Sequence, residues 1–419
     1  MIPVESIRRG VLWTLLAVSA LASIEPSPYE FMFVVTLLVF AGRGLVFEKS
    51  MAPMILTMAV YNAAGLVALA PYVSESRAVG YTVTSLYISL TTIVFAAIVA
   101  ERPLQRMATI RSGYIFAALA AATLGILGYF DVAGLGPYFT LYDNSRAMGP
   151  FKDPNVFGPF LVAPIVWLAQ DLIFKRGRAL STLAKLAPLL VSLGLSFSRG
   201  AVIDGLLGMA MMFALSFLAA RGARDRQRVA LVAFGSAGLL VAILAVALAV
   251  PSLRDMLVSR ASLLQDYDVG VDGRFGNQIR AIPLLLERPL GFGPLRFDQF
   301  FAQDPHEAFL SAFASYGWVG GLAFAAFIVA TIYLGWALAV RRSPLQHEAI
   351  AVWSACFPQI LQGVQIDTEH WRHLFLLCGC VYGLAAAERR MRAPNYATNL
   401  SSTPIAADAG RISSPPALV

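Results

Sequence analysis

Long uninterrupted apolar runs are the feature that most limits what this chain can fold into. Examples are VLWTLLAVSALASI at 11–24, YTVTSLYISLTTIVFAAIVA at 81–100 and ALVAFGSAGLLVAILAVALAV at 230–250. A helix needs about 20 apolar residues to cross the hydrocarbon core of a bilayer, and two of these runs reach that length. The chain has 419 residues, of which 58% are hydrophobic and only 14% charged. We therefore predict an all-α fold, a polytopic integral membrane protein.

Twelve apolar segments are predicted to cross the membrane as helices. Between the ninth and tenth lies 251–307, which is 57 residues long, and loops of that length are usually functional or disordered. Its alternation of polar and aromatic residues favours an ordered loop. Residues 1–392 are predicted to form one transmembrane domain, and 393–419, rich in Ser, Pro and Ala, a disordered tail. The predicted spans are 10–24, 30–47, 51–73, 81–100, 114–130, 155–173, 180–196, 200–219, 229–250, 308–338, 347–365 and 374–387.

Basic residues mark every second joint between these spans. The joints near 101–111, 175–178, 221–228, 341–342 and 389–392 are rich in Arg and Lys and poor in acidic residues. Cytoplasmic loops carry such an excess, so we predict that both termini are cytoplasmic and that 251–307 is periplasmic. The net charge of +7 follows from this topology, and no nucleic-acid partner is predicted.

The N-terminus permits a second interpretation. Arg8 and Arg9, then an apolar run, then ALA at 20–22 resemble a cleavable signal peptide. We interpret the segment as the first transmembrane helix, because the later spans make a separate export signal unnecessary.

Two stretches place ionisable residues at the outer edge of predicted spans. His306 and Glu307 directly precede the tenth span, and Arg199 lies in SFSRGA, a hairpin between the seventh and eighth. Ionisable side chains at such positions are costly unless they face water, pair, or do chemistry. A neutral histidine is a suitable proton acceptor near pH 7, and an arginine is a suitable ligand for an anion.

The stretch GPFKDPNVF places Lys152 and Asn155 at the outer start of the sixth span. Asp153 is predicted to cap this helix and Pro154 to occupy its first turn. Lys152 is repelled by the positive end of the helix dipole, so a lysine here predicts an anion site.

A third stretch, IDTEHWRHLF at 366–375, crowds His370 and Arg372 into a very short joint. The spacing fits no common zinc pattern, and we predict no metal site. An interfacial Trp371 with charged neighbours that anchors a helix end explains the stretch almost as well. Since all these residues fall on the outer face, we predict a single cationic cavity that holds a proton acceptor.

Four motifs resemble one known family. SFSRGA, KDPNVFGPFL, GRFGNQIRAIPLLLERPLGFGP and DPHEAFLSAFASYGWVGG occur in the order and spacing of the O-antigen ligase and polysaccharide polymerase superfamily. The resemblance covers roughly residues 140–390. That family typically has His-Asn where this chain has His306-Glu307.

The resemblance implies a membrane glycosyltransferase of the bacterial inner membrane. Such enzymes move a glycan from undecaprenyl diphosphate onto an acceptor hydroxyl at the periplasmic face, with inversion and without a metal or other cofactor. The family's motifs match Arg199 and Arg274 as diphosphate ligands and His306 as the general base, with Lys152 a weaker third cation. Nearby arginines are expected to lower the pKa of His306, and Glu307 to oppose this or orient the ring.

Three functions follow, in order of preference. The first is an O-antigen ligase that uses lipid A–core as the acceptor. The second is a polymerase that extends O-antigen or exopolysaccharide on a lipid-linked glycan acceptor. The third, a transporter or lipid flippase, is less favoured. Transporters place charge near the bilayer midplane, often in two repeated halves, whereas the charges here gather at one face.

Overall fold

The computed structural model describes residues 4–42, 44–45, 47–141, 145–174, 177–251, 254–255, 270, 273–301 and 303–392. The predicted tail at 393–419 and all of 256–269 lie outside the described residues. The helices are α1 (Val4–Ala17), α2 (Pro28–Ala41), α3 (Ala52–Leu69), α4 (Ser76–Glu101), α5 (Pro103–Tyr129), α6 (Gly136–Phe139), α7 (Pro154–Phe174), α8 (Ala179–Leu195), α9 (Arg199–Ala219), α10 (Ala223–Ala249), α11 (Arg274–Leu286), α12 (Ala308–Val340), α13 (Gln346–Gln362) and α14 (Arg372–Arg392).

Sheet structure is minor in the described part of the chain. β1 (Thr140–Leu141) and β2 (Arg146–Ala147) pair antiparallel, with Thr140 opposite Ala147. Short 3₁₀ turns lie at Lys49–Met51, Ala70–Tyr72, Val132–Gly134 and Phe297–Gln299. The predicted all-α fold is confirmed.

Helix length and composition agree with a membrane environment. Each of the twelve predicted spans overlaps one helix, and six helices in the described residues are long and apolar enough to cross a bilayer. Two further apolar helices, α2 and α8, are shorter. The six long segments are Lys49–Tyr72, Ser76–Glu101, Pro103–Tyr129, Pro154–Phe174, Arg199–Ala219 and Ala308–Val340.

The predicted span at 308–338 is not one continuous helix. α12 is broken at Gly317, where φ is 68° and ψ is −166°. The segment that follows α11 fills the break: Trp318 N–H donates to Pro289 O at 2.9 Å, and Phe292 N–H donates to Ala314 O at 2.7 Å. An unbroken helix of 33 residues would be about 50 Å long, well beyond the roughly 30 Å thickness of the hydrocarbon core. The break lets the first two turns leave the bundle axis.

Small residues let α14 approach α4 closely. A Cβ at Gly379 would lie 2.7 Å from Thr92 O, and one at Gly383 would lie 2.7 Å from Ala96 O. Such positions are typical of membrane helix interfaces, where close backbone approach replaces the hydrophobic effect. The α4–α14 contact therefore fixes where the joint between α13 and α14 meets the start of α4.

Paired charges fill one end of the bundle, which we call the Arg106 end. Arg106 is fully buried and binds Glu5 at 2.5 Å and Glu101 at 3.0 Å, and Arg8 binds Glu101 at 2.7 Å. These residues lie at the start of α1 and α5 and at the end of α4. Two basic residues that the sequence assigns to a cytoplasmic joint, Arg106 and Arg111, are thus buried rather than solvated.

Arg111 forms the second network at this end. It binds Asp171 at 2.6 Å and Glu348 at 3.1 Å, and it donates to Trp167 O at 3.1 Å. The network joins α5, α7 and α13. Buried charges persist in structures when each is paired and hydrogen-bonded, which describes this arrangement.

Candidate functional site

The opposite end of the same helices, which we call the His306 end, is organised by the joint between α13 and α14. Ala308 N–H donates to Gly363 O at 2.7 Å, which ties the start of α12 to this joint. A Cβ on Gly200, the second residue of α9, would collide with Gln362. The starts of α9 and α12 therefore converge on residues 362–367.

His306 lies in this convergence, immediately before α12. Its Nδ1 is 3.3 Å from Oδ2 of Asp367, and its side chain is 46% exposed. Its φ is +46°, which is uncommon for a residue with a side chain. Backbone strain of this kind is concentrated at functional sites, where the surrounding contacts impose it.

The pKa of His306 is raised above its ordinary value of 6.5. The hydrogen bond with Asp367 is the largest cause, and the charges of Asp367 and Asp304 add to it; burial and Arg274 act in the opposite direction. Arg274 lowers this pKa as predicted, but the predicted net lowering is wrong, because the carboxylates of Asp367 and Asp304 outweigh the arginine. A carboxylate on Nδ1 favours the tautomer whose Nε2 can accept a proton, as in serine hydrolase triads.

Asp367 is the partner of His306, and the sequence did not single it out as a site residue. Its Oδ1 accepts hydrogen bonds from Ser311 Oγ at 2.7 Å and from Glu307 N–H at 3.1 Å, so the first turn of α12 holds it. The sequence does place an aspartate in the polar joint 366–371. Its pairing with His306 could not be predicted, because the histidine is about 60 positions away in sequence. Only the packing of α12 against α13 brings the two together.

Glu307 caps α12. Its carboxylate accepts from Phe309 N–H at 3.0 Å and from Leu310 N–H at 2.5 Å, the usual arrangement for a helix N-cap. Burial raises its pKa, and the two hydrogen bonds oppose that rise. Its predicted role beside His306, to oppose a lowering of that pKa or to orient the ring, stays a prediction, and so does a contact with the substrate, since the capping contacts already account for its position.

The two arginines predicted to bind an anion each open a helix. Arg274 is the first residue of α11, after the N-cap Gly273, and its Nη1 donates to Gln365 O at 3.3 Å. Arg199 is the first residue of α9, after Ser198, whose side chain caps the helix. Both helix starts thus approach residues 362–367, and a helix N-terminus together with a guanidinium favours an anion.

The start of α7 matches the sequence prediction. Asp153 Oδ1 accepts from Asn155 N–H at 2.7 Å, which confirms Asp153 as the cap. Asn155 Oδ1 in turn accepts from Arg146 Nη2 at 2.8 Å, and Arg146 Nε donates to Ser196 O at 2.9 Å. Arg146, which the sequence did not indicate, therefore links β2, α7 and the turn before α9.

Lys152, His370 and Arg372 line a second feature, which we call the Arg372 cavity. Its volume is about 210 Å³. Lys152 Nζ lies 2.5 Å from Glu25 Oε1, and Arg372 forms an ion pair with Glu30. The described lining consists of Ser19, Ala22, Tyr29, Tyr114, Phe151, Lys152, Asp153, Val156, Phe160, His370, Trp371, Arg372, His373 and Leu376.

The single cationic cavity predicted from sequence is therefore two groups of residues. One holds His306, Asp367 and Arg274; the other is the Arg372 cavity, whose described lining includes none of these three. Neither group is strongly cationic. The basic residues form ion pairs with carboxylates that are distant in sequence. The hydropathy of the chain does not identify such partners.

Burial shifts the pKa values of two side chains of the joint toward the uncharged form. Burial lowers the pKa of His370 to about 4, and its Nε2 is 2.8 Å from Ser85 Oγ. Burial and the charge of Asp367 raise the pKa of Glu369 well above its usual value, and its Oε1 accepts from Tyr81 OH at 3.2 Å. His370 is thus not the cation that the predicted cavity required.

The fold and site define a class: a helical membrane protein with an aspartate-supported histidine at one end of the bundle. Among the described residues, no group of three or more His, Cys, Asp or Glu side chains is placed to hold a metal ion. Comparison of the chain with known protein families and with curated protein sequences finds no match.

Proposed function

We propose that the chain is an O-antigen ligase-like glycosyltransferase that moves a glycan from undecaprenyl diphosphate to a hydroxyl of lipid A–core. The observation that carries the proposal is the pairing of His306 with Asp367 beside Arg274. A base and an anion ligand at one end of a membrane bundle suit a lipid-linked, phosphate-activated donor. Two of the sequence motifs that resemble the superfamily contain His306 and Arg274.

In the proposed step, His306 Nε2 takes the proton from the acceptor hydroxyl as that oxygen attacks the anomeric carbon. The bond between this carbon and the diphosphate oxygen breaks, and its electron pair leaves with undecaprenyl diphosphate. Attack opposite the leaving group inverts the anomeric configuration. Asp367 holds the ring by Nδ1 and stabilises the imidazolium that forms, as the triad aspartate does in serine hydrolases.

The leaving diphosphate is assigned to Arg199 and Arg274. A guanidinium gives two parallel hydrogen bonds to phosphate oxygens and stays charged, and each of these arginines adds the N-terminus of a helix. Lys152, the third cation of the sequence prediction, is not assigned to the diphosphate, because Glu25 already offsets its charge. No metal or cofactor is part of the proposed chemistry.

The proposed topology has twelve membrane-crossing helices in the bacterial inner membrane. Both termini are cytoplasmic, and the His306 end and the loop 251–307 face the periplasm. The grouping of basic residues supports this orientation: Arg106, Arg341 and Arg390 lie at helix ends that belong to the Arg106 end. The positive-inside rule assigns that end to the cytoplasm.

The test is glycan transfer in proteoliposomes. Purified protein receives undecaprenyl-diphosphate-linked glycan with and without lipid A–core, and the products are separated by size. A single shifted band that requires lipid A–core supports the ligase. A ladder formed without it makes the chain a polymerase of O-antigen or exopolysaccharide. Movement of the lipid-linked glycan across the bilayer with no new glycosidic bond makes the chain a transporter.

A further inference from the structure

The Arg372 cavity is walled mainly by aromatic rings and edged by polar groups. Tyr29, Tyr114, Phe160 and Trp371 lie in its wall, and the polar side chains come from the starts of α7 and α14. Its volume of about 210 Å³ is below the roughly 300–1,000 Å³ of pockets for drug-sized molecules. The cavity therefore suits one small ring rather than an extended chain.

Two buried nitrogen atoms at this cavity have no hydrogen-bond partner among the described residues. They are Nη1 of Arg372 and Nε2 of His373, and His373 is only 5% exposed. Trp371 stacks on the His373 ring at 5.2 Å between centroids, which holds the ring in place. An unsatisfied buried polar group costs about 1–3 kcal/mol. Similar atoms occur at the Arg106 end, but these two belong to residues that line a cavity with room for a molecule that supplies hydrogen-bonding oxygens.

The charge balance argues against phosphate as that molecule. Glu25 pairs with Lys152, Glu30 pairs with Arg372, and Asp153 adds another carboxylate to the lining. The carboxylates at least match the cations. A phosphate would have to displace a carboxylate from a cation and remain close to the others, and like charges at such short range repel strongly.

We propose that the Arg372 cavity binds one neutral sugar residue of the glycan substrate, an assignment that rests on the proposed function. Hydroxyl groups can both donate and accept, so they satisfy Arg372 Nη1 and His373 Nε2 together. The C–H faces of a sugar ring pack against the aromatic wall. A neutral ring also leaves both ion pairs intact. The cavity thus selects the sugar, while the His306 group carries out the transfer.

The test is saturation-transfer NMR on the full-length protein in detergent micelles. The probes are free glucose, galactose and N-acetylglucosamine, each measured alone and with a large excess of inorganic phosphate. Val156→Phe places a ring in the cavity, and His373→Phe removes Nε2 but keeps an aromatic ring. Val191→Phe, on the outward side of α8 and 39% exposed, is the matched control.

We expect at least one sugar to receive saturation on its ring protons in the wild type and in Val191→Phe. The signal should disappear in Val156→Phe, weaken in His373→Phe, and persist in excess phosphate. The proposal is wrong if none of the sugars receives saturation, if Val156→Phe keeps the signal, or if phosphate abolishes it. Thermal melting of each variant verifies that the chain is folded.

Glycan transfer separates this proposal from the proposed function. In Val156→Phe, KM for the donor or the acceptor should rise while kcat stays close to the wild-type value. Sugar binding without any transfer leaves the cavity assignment in place and removes the glycosyltransferase. Transfer with unchanged KM values in Val156→Phe removes the cavity assignment and leaves the glycosyltransferase.

Discussion

The two ends of the helical bundle differ in how completely their charges are paired. At the Arg106 end, buried Arg106 has carboxylates on both sides, and Arg111 binds Asp171 and Glu348. At the His306 end, the buried carboxyl of Glu369 has no salt-bridge partner among the described residues, and a hydroxyl of Tyr81 binds it instead of a cation. Buried nitrogens without hydrogen-bond partners in the described part of the chain occur at both ends, for example Arg106 Nε and His373 Nε2.

The difference indicates what each end does. Removing one partner from a buried ion pair leaves an uncompensated charge and is strongly destabilising, so single substitutions at the Arg106 end should destabilise the bundle. A shifted histidine pKa and a strained backbone are typical of functional sites, and His306 has both. Substitutions at one end should therefore reduce stability, and those at the other should reduce activity.

The largest expected effect is that of His306→Ala. Loss of a general base should lower turnover by about 10²- to 10⁴-fold, while the melting temperature stays close to that of the wild type. His347→Ala is the control, because His347 opens α13 at the Arg106 end and packs against Phe174 at 4.2 Å. Normal glycan transfer by folded His306→Ala would remove the base assignment.

Arg199→Ala should cost about 10²- to 10³-fold in kcat, by analogy with the loss of one oxyanion-hole donor. Arg199→Lys should recover only part of the loss, because lysine lacks the planar fork. Arg254→Ala, an exposed arginine beside Asp255, is the control. Full recovery by lysine in the proteoliposome assay would mean that only charge matters at this position.

Arg106→Met tests the Arg106 end, where we expect an effect on stability. It leaves Glu5 and Glu101 without their shared partner, and we expect a loss of about 3 kcal/mol, the lower part of the range for broken buried pairs. The lower value applies because both glutamates keep some contact with solvent. Arg102→Met, at a 52% exposed partner of Glu5, should change stability little. Unfolding is followed in detergent; equal stability of the two variants would contradict a structural role.

At the His306 end, variants of Glu307 distinguish a role in capping α12 from a role in the reaction. Glu307→Ala removes the N-cap of α12 and should cost about 0.5–2 kcal/mol of stability. Glu307→Asn should cost less, because asparagine is a preferred N-cap, and it is the residue that the resembled family typically has there. If the asparagine variant is as stable as wild type but inactive, the glutamate has a role in the reaction.

The smallest expected effect is a change in pH dependence. His306 must be neutral to accept a proton, and its raised pKa means that activity increases as pH rises through a value above 6.5. Asp304→Asn removes one cause of the rise, so this acidic limb should move to lower pH. The move should be small, because Asp304 is exposed and water screens its charge. Asp255→Asn should leave the profile unchanged, and a shift to higher pH would contradict the assignment.

Local features of the sequence predicted local features of the fold. The apolar runs predicted the positions of the helices, and Asp153 followed by Pro154 predicted the start of α7. The residue types at the joints also indicated His306 and Arg199 as residues near one end of the bundle, and the family resemblance added Arg274. These predictions depend on hydropathy and capping, which neighbouring residues determine.

Tertiary structure alone decided which of these residues meet. Asp367 reaches His306 because the end of α13 packs beside the start of α12, and this contact reverses the expected direction of the His306 pKa shift. Glu25 and Glu30 neutralise Lys152 and Arg372 from a loop and helix more than 100 residues earlier. Burial and Coulomb energy depend on distances in space, and hydropathy along the chain contains no information about those distances.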